Sequence, residues 1–310
     1  MASKTFNDLG VLGLYVETPL HCGAEGGTGY VDLPIQRERH THYPVVPGST
    51  IKGILRDELL AELQEEGIRA IFGADGTKDE KATAPGTFSF GDGILVAFPV
   101  RSSGAPFHWV TCPFVLERVF RALGSPVDLQ HPAAGHAWAR QEGEVLLEEI
   151  RLDKAPYPAF FGEGAEEGTD QKATGLDLLL GLLPDAGRGF AYTRSIFADR
   201  LLIVSDSDFK ELVETGTEVI TRIKLNAFGT TASLEKEKYP DLSDFDRQGN
   251  MFVEEVVPPE ALFLAPLRGS NGTWWPKLVK ALEARPVIRL GGDETIGRGV
   301  SHLTFVGRAS

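Results

Sequence analysis

Cysteine is nearly missing from this chain: Cys22 and Cys112 are the only two among 310 residues. Two thiols form at most one bridge and lack metal-ligand spacing, which suits a reducing compartment and leaves stability to an apolar core. Long apolar runs are also lacking. Ile94 to Val100 and Leu176 to Leu183 are far too short to cross a bilayer, and the opening MASKTFNDLG has no apolar secretory core. The reading is therefore a cytoplasmic chain with no membrane partner. Basic charge is in deficit, 31 Lys and Arg against 44 Asp and Glu, for a net charge of −13. That balance argues against bulk electrostatic binding of nucleic acid, because neutralising phosphates with Lys and Arg supplies most of such affinity. No GxxxxGK[ST] loop, HExxH helix, CxxC pair or GxSxG elbow occurs, which weakens the common nucleotide-dependent and hydrolase readings.

The acid is unevenly spread. Much of it lies between Glu142 and Asp170 and again between Glu235 and Glu255, whereas the opening stretch and the segment holding Arg285, Arg289 and Arg298 are balanced or basic. A surface with two such faces can hold RNA on one and repel it from the other.

What is present gathers in Tyr15 to Arg56, YVETPLHCGAEGGTGYVDLPIQRERHTHYPVVPGSTIKGILR. His21, a glycine-rich turn (Gly23, Gly26, Gly27, Gly29), the lone acid Asp32 and a basic run (Arg37, Arg39, His40, His42) precede a helix start at Pro47-Gly48-Ser49. Lys52 and Arg56 follow at i, i+4, so both cations project from one helix face. Glycines that permit close approach, helix N-terminal N–H groups and two cations suit a phosphodiester backbone. The ordinary alternatives stay open: a flexible turn for the glycines, solvated or ion-paired charges (with Glu38 and Asp57) for the cations, and a turn cap for Asp32. A carboxylate is a weak general base at neutral pH unless its surroundings change that, so a catalytic Asp32 is better suited to hold a divalent cation or to orient a ribose 2′-OH.

Hydrophobic spacing predicts the rest. A strand over Leu9 to Val16 leads, through the glycine-rich connection, to a helix after Pro47, with Ser49 as N-cap and Gly67 as stop. Strands follow at Thr87 to Phe90, Ile94 to Val100 and Phe107 to Val110, then a helix capped by Thr111 with Pro113 inside it and Gly124 beyond. Strand, helix, strand, strand, helix reads as the start of a ferredoxin-like or RRM-like unit. Residues of about 125–175 read as an acid-rich insertion with one strand at Glu144 to Leu152. The αβ alternation restarts with a short helix around Leu176 to Leu183, a strand at Leu201 to Val204 and a helix capped by Ser205 or Asp206. Val219 to Leu225 and Met251 to Val257 read as two strands around a long polar tip, a projecting hairpin. A strand at Ala261 to Leu267, a helix at Trp275 to Ala284, a strand at Val287 to Leu290, the loop GGDETIGRG and a strand at His302 to Val306 close the chain. That last loop places Arg298 between glycines.

Taken in order, TPLHCGAEGGTGYVDLPIQRERHTHYPVVPGSTIKGILR, FGDGILVAFPVRS, FHWVTCP, NMFVEEVVPP and GGDETIGRG resemble the RAMP superfamily of CRISPR-Cas proteins. VDLPIQRE and FHWVTCP are closest to the backbone-subunit family of type III-B (Cmr) effector complexes; PGSTIKG and GGDETIGRG mark the wider superfamily. The resemblance implies an α+β fold, a single domain over 1–310 with a modified RRM-like palm and a projecting β-hairpin thumb within about 226–250. It implies copies stacked helically along a CRISPR RNA beside other Cmr subunits, and an endoribonuclease that cuts complementary single-stranded target RNA at regular intervals. The family's catalytic acid falls on Asp32; the mechanism expected from it has Asp32 bind a divalent metal ion, Mg2+ or Mn2+, as cofactor or orient the ribose 2′-OH, with His21 as a lesser helper. RNA contacts are expected at Arg37, Arg39, Ser49, Lys52, Arg56, Gly291, Gly292 and Arg298. Attack by the 2′-OH would leave a 2′,3′-cyclic phosphate. A non-catalytic guide-RNA scaffold, or a small-molecule enzyme using the two glycine-rich loops, remains the alternative.

Overall fold

The computed structural model describes residues 8–24, 26, 29–74, 85–127, 129–161, 173–270 and 272–307. Gly27, most of the polar loop between Gly73 and Gly86 and the acidic stretch 162–172 lie outside them. Chain order begins with β1 (Asp8–Val16), β2 (Val45–Val46), α1 (Gly48–Glu58), α2 (Leu60–Phe72), β3 (Phe88–Phe90), β4 (Gly93–Arg101), β5 (Phe107–Thr111) and α3 (Pro113–Leu123). Next come β6 (His136–Ala139), β7 (Gly143–Leu147), β8 (Ile150–Pro156), α4 (Gly175–Leu180), α5 (Ala191–Arg200), β9 (Leu201–Val204) and α6 (Asp206–Thr215). The chain ends through β10 (Glu218–Lys224), α7 (Asp244–Arg247), β11 (Asn250–Val256), β12 (Leu262–Gly269), α8 (Trp275–Ala284), β13 (Val287–Arg289) and β14 (Val300–Gly307). The result is an α+β protein in which all the described strands except β10 and β11 join one sheet.

β1 is the organising strand. Its residues 10–16 are all buried because both sheet faces are covered, which is why it reads as a nearly continuous apolar run rather than an alternation. It pairs antiparallel with β12 on one side and β14 on the other, and β12 pairs with β4. Leu14 and Ile51 of α1 meet over Gly93 on one face; on the other, the carbonyl of Leu182 sits where a Gly13 side chain would be. Successive residues of a strand face opposite ways, so Gly13 is small to admit the segment after α4. α2 packs on α8 with Gly67 against Trp274, whose ring lies 2.8 Å from the position a Cβ would take.

The spatial order is β14-β1-β12-β4. The strand between β1 and β4 is β12, from much later in the chain, and α8 packs against α2. β5 pairs on the far side of β4 and leads into parallel pairing with β9. The run β4-β5-β9-β6-β8-β7 then returns on itself: Leu147 bridges Ser102 just after β4, and the Ser103 and Glu148 amides donate to Leu146 and Arg101 carbonyls. The single strand expected at Glu144 to Leu152 is two, β7 and β8, broken by a turn in which Glu148 takes a φ of 47°.

Local expectations also shift at helix ends. Ser49 lies inside the first turn of α1; Pro47 is the N-cap, and the Gly48 N–H donates to Asp92 Oδ1 at 2.7 Å. Gly67 is interior to α2, which ends at Gly73. Cys112, not Thr111, occupies the N-cap of α3, while Pro113 and a left-handed Gly124 bound it as expected. Both thiols are buried and unbridged, and burial pushes that of Cys22 up to about 12, so it carries no nucleophile.

His108 on β5 is also buried, its Nδ1 2.7 Å from Ser102 Oγ; burial, with repulsion from Lys154 and Arg200, pushes its pKa down from 6.5 to about 4. Between those values the unfolded chain takes up a proton that the folded chain refuses, so stability falls as pH drops through that window. Thermal melts from pH 7.5 to 4.5 are expected to show a shallower loss for His108→Gln than for the native chain. Parallel curves would remove His108 as the source.

Candidate functional site

The VDLPIQRE block does not form a strand of the main sheet. It runs along β11, the return strand of the separate β10-β11 hairpin, whose pairing extends from Glu218 opposite Val256 to Lys224 opposite Asn250. The Asp32 and Leu33 amides both donate to the Val253 carbonyl at 3.0 Å, and the Glu255 amide donates to the Leu33 carbonyl at 3.0 Å. Val253 N–H in turn donates to Asp32 Oδ2 at 2.8 Å. Asp32 is exposed, and its Oδ1 accepts no hydrogen bond from the described residues. Tyr30, two residues earlier, is 100% exposed. One carboxylate oxygen is thus fixed to the hairpin base and the other is left toward solvent.

Behind Asp32 lies a buried ionic cluster. Glu254 is fully buried; its Oε2 accepts from Arg298 Nη1 at 2.5 Å and from Arg222 Nη1 at 3.2 Å, and the same Arg222 nitrogen reaches Asp293 Oδ2 at 2.6 Å. Burial pushes the pKa of Glu254 up, and the nearby Asp293 carboxyl adds to this against the pull of Arg298; Asp293 is held down by its interaction with Glu254 and by Arg222. Glu254 Oε1 has no hydrogen-bond partner, with His21 Nδ1 3.6 Å away. That Nδ1 is 2.8 Å from the Glu255 carbonyl, so it carries the proton. Glu255 draws on a second set: Arg37 Nη2 at 2.6 Å, Thr217 Oγ1 at 2.7 Å and the Ile35 amide at 3.1 Å. Burial opposes its ionisation, but these donors outweigh burial and lower its pKa.

The two glycine-rich loops meet here. The Gly292 N–H donates to the His21 carbonyl at 2.8 Å, and a side chain at Gly291, held at φ 78°, would collide with that carbonyl. A Cβ on Gly23 would come 2.9 Å from His21 Nε2. Gly23 and Gly291 are therefore close-approach positions, whereas Gly26, Gly29 and Gly297 have open space around them.

The expected cations divide. Arg37 and Arg298 face inward onto Glu255 and Glu254, and Arg298 is only 9% exposed. Arg39 is exposed, Lys52 and Arg56 are half-buried on one face of α1, and Arg39 and Lys52 make no ion pair with the described residues. Ser49 and Gly292 are exposed. α1 packs against β13, which runs into the glycine loop. Glu38 pairs with neither Arg37 nor Arg39. Arg118 of α3 grips it through both nitrogens, at 2.6 and 2.9 Å, and with Thr41 overcomes burial to lower its pKa. Sequence reasoning missed Arg118, Arg222, Glu254 and Glu255.

Among the described residues no group of three His, Cys, Asp or Glu side chains is placed to hold a metal ion. Asp32 alone does not make a protein cage; the donor set fits only an ion that takes most of its ligands from substrate and water.

The blocks and their assembly define a member of the RAMP superfamily, and the chain belongs to it: that family's model matches residues 14–300. Within it the chain is similar to the CRISPR system Cmr endoribonuclease Cmr4 of Pyrococcus furiosus, 30% identical over 306 residues, with 95% of each chain covered. The crystal structure of oligomeric Cmr4 from the same organism matches over 98% of this chain and 99% of that one, with a TM-score of 0.64 and 24% identity. A subunit of a type III-B Cmr-beta complex bound to cognate target RNA matches over 97% and 98%, with a TM-score of 0.68 and 19% identity. No helix among the described residues is long and apolar enough to cross a membrane.

Proposed function

We propose that this chain is the backbone subunit of a type III-B effector complex, where copies stack along a CRISPR RNA beside other Cmr subunits and cut the paired target RNA at regular intervals. Its near-full-length relation to Cmr4 supports the assembly. The observation that carries catalysis is the placement of Asp32, exposed yet clamped through Oδ2 to the return strand of a projecting hairpin. In this reading β14-β1-β12-β4 with α1, α2 and α8 is the RRM-like palm, and β10-β11 with its tip is the thumb. Base pairing with the guide supplies sequence specificity, and the protein reads backbone and shape.

Lys52, Arg56, Ser49 and Arg39 contact guide phosphates, with Gly291 and Gly292 allowing close approach. Arg37 and Arg298 act from behind, holding Glu255 and Glu254 and so the register of the hairpin base. The thumb unstacks a target nucleotide, and Asp32 Oδ1 accepts a hydrogen bond from the neighbouring ribose 2′-OH, aligning its oxygen with the phosphorus. The 2′-O–P bond forms as the P–O5′ bond breaks; the 2′ proton passes to solvent and the 5′ oxygen takes one up. The products are a 2′,3′-cyclic phosphate and a 5′-OH. His21, through its carbonyl, keeps the glycine loop seated. A divalent ion, Mg2+ or Mn2+, would be held by RNA phosphates with Asp32 as its protein ligand and would supply charge neutralisation at the phosphate.

A target carrying a single 2′-deoxyribose at one scissile position is expected to lose that cut alone, by about 10²-fold or more, while neighbouring cuts persist. Persistence of the cut at the deoxy position would eliminate 2′-OH attack.

A further inference from the structure

A glycine inside an α-helix weakens it relative to alanine, because the unfolded chain is freer and no side chain is there to pack. Four glycines lie in the α-helices of the described residues, and the fold explains three of them. A Cβ on Gly48 would come 2.6 Å from the Phe90 carbonyl oxygen, one on Gly67 2.8 Å from the Trp274 ring, and one on Gly175 2.4 Å from the Phe161 ring. Gly53 has no such neighbour. A Cβ there would meet nothing within 4 Å, and the residue is exposed in the middle of α1 with ordinary helical backbone. Within the chain alone, alanine would be the better residue.

The rest of that helix face shows what the open space suits. Ser49, Lys52, Gly53 and Arg56 stand at i, i+3, i+4 and i+7, on one side of α1 and turned away from the buried Ile51 and Leu55. A hydroxyl and two cations thus frame a spot where the helix backbone is bare. One acid borders it, Asp57, exposed one turn beyond Gly53, while Glu58 interacts with Arg285 instead. Two cations to one acid leave the face positive. A chain of phosphates fits such a face: the cations neutralise its charge, and without a Cβ a phosphate or ribose oxygen can reach the helix Cα at about 3.3–3.6 Å, the distance of a Cα–H···O contact.

We propose that the guide RNA backbone crosses α1 directly over Gly53, between Lys52 and Arg56, and that a side chain at this position would lift the phosphodiester off the helix. Gly53 is then a positioning residue, less stable than alanine in the free chain and required in the bound one. This rests on the reading of α1 as the guide-binding face and names the residue that sets how closely the guide lies.

The test sets stability against affinity. Gly53→Ala is expected to raise the melting temperature of the full-length chain by about 1–3 °C. Binding of a guide-sequence RNA, measured with the other Cmr subunits present, should weaken by about tenfold or more, and Gly53→Leu should weaken it further. The change removes fit and not charge, so affinity should fall with salt as steeply as for the native chain, whereas Lys52→Ala should flatten that slope. Opposite shifts in stability and affinity are what a purely structural glycine would not produce. A Gly53→Ala chain that melts higher and binds guide as the native chain does overturns the proposal. So does one that melts lower, since any loss of binding would then follow from folding. Normal guide binding with loss of association between copies or with other Cmr subunits would put a protein over Gly53 and likewise overturn it. The double variant Lys52→Ala with Arg56→Ala separates the two readings. Unchanged guide binding there removes α1 as the guide face; a loss there beside native binding by Gly53→Ala strikes only the close approach.

Discussion

Replacing Asp32 by alanine in the assembled complex is expected to remove the regularly spaced target cuts, lowering their rate by about 10²-fold or more, the scale on which a positioned acid–base or orienting group acts. Guide binding, target binding and assembly should be nearly unchanged, because the exposed Asp32 carboxylate makes one hydrogen bond, to Val253, of about 1.5–3 kcal/mol, small against a folded domain's stability. Asp32→Asn sharpens the comparison. It keeps an oxygen for the Val253 N–H and so should hold the hairpin base, yet it lacks the second carboxylate oxygen that meets the 2′-OH. If Asn and Ala lose cutting together, chemistry is at stake; if Asn cuts normally, Asp32 is a structural cap. Cuts that persist in both variants would make the chain a scaffold and place the nuclease elsewhere.

The second large effect is on stability. Glu254→Ala takes from the guanidinium of Arg298, 9% exposed, its close carboxylate, leaving only Asp293 at 4.0 Å, and removes one partner of Arg222. Removing one member of a buried pair typically costs about 3–5 kcal/mol, because the other charge stays behind without water. Chemical denaturation should show a loss of that size for Glu254→Ala, and a distinctly smaller one for Glu254→Gln, whose amide oxygen still accepts from Arg298. The double variant Glu254→Ala with Arg298→Met should recover most of the loss, since the stranded charge is gone. No recovery would mean that the cost comes from packing rather than from the unpaired guanidinium.

What was legible in the sequence was local. α8 could be read to the residue because Pro276 opens it and its apolar positions recur at helical spacing onto Leu278, Ala281 and Leu282. The β10 and β11 strands were legible from their apolar content and the polar run between them. α5 was missed, since AYTRSIFADR buries only Phe197 and Ala198 and shows no clear stripe. The order of the central strands was hidden for another reason. β12 inserts between β1 and β4 across a separation that no window on the chain can see, and the polar chain between them gives no sign of where it returns.

The site followed the same division. Asp32 and the glycine loops could be picked out as candidates, and a family resemblance could single out Asp32. Its partner Val253 stands 221 residues away, and Glu254 and Arg298 are 44 apart, so neither pairing leaves a local signal. Arg37 and Arg298 show the cost of that blindness. In sequence they are cations of a basic run and of a glycine loop, suited to phosphate; in the fold each also pairs with a carboxylate, Glu255 or Glu254.

The return of β7 onto the end of β4 bears on how the molecule can grow. An open sheet edge is a template on which any neighbour can add strands. Here the end of β7 is already bridged to the segment that follows β4, so part of that edge is paired within the chain itself. Strand addition on that flank is thereby narrowed before a partner arrives.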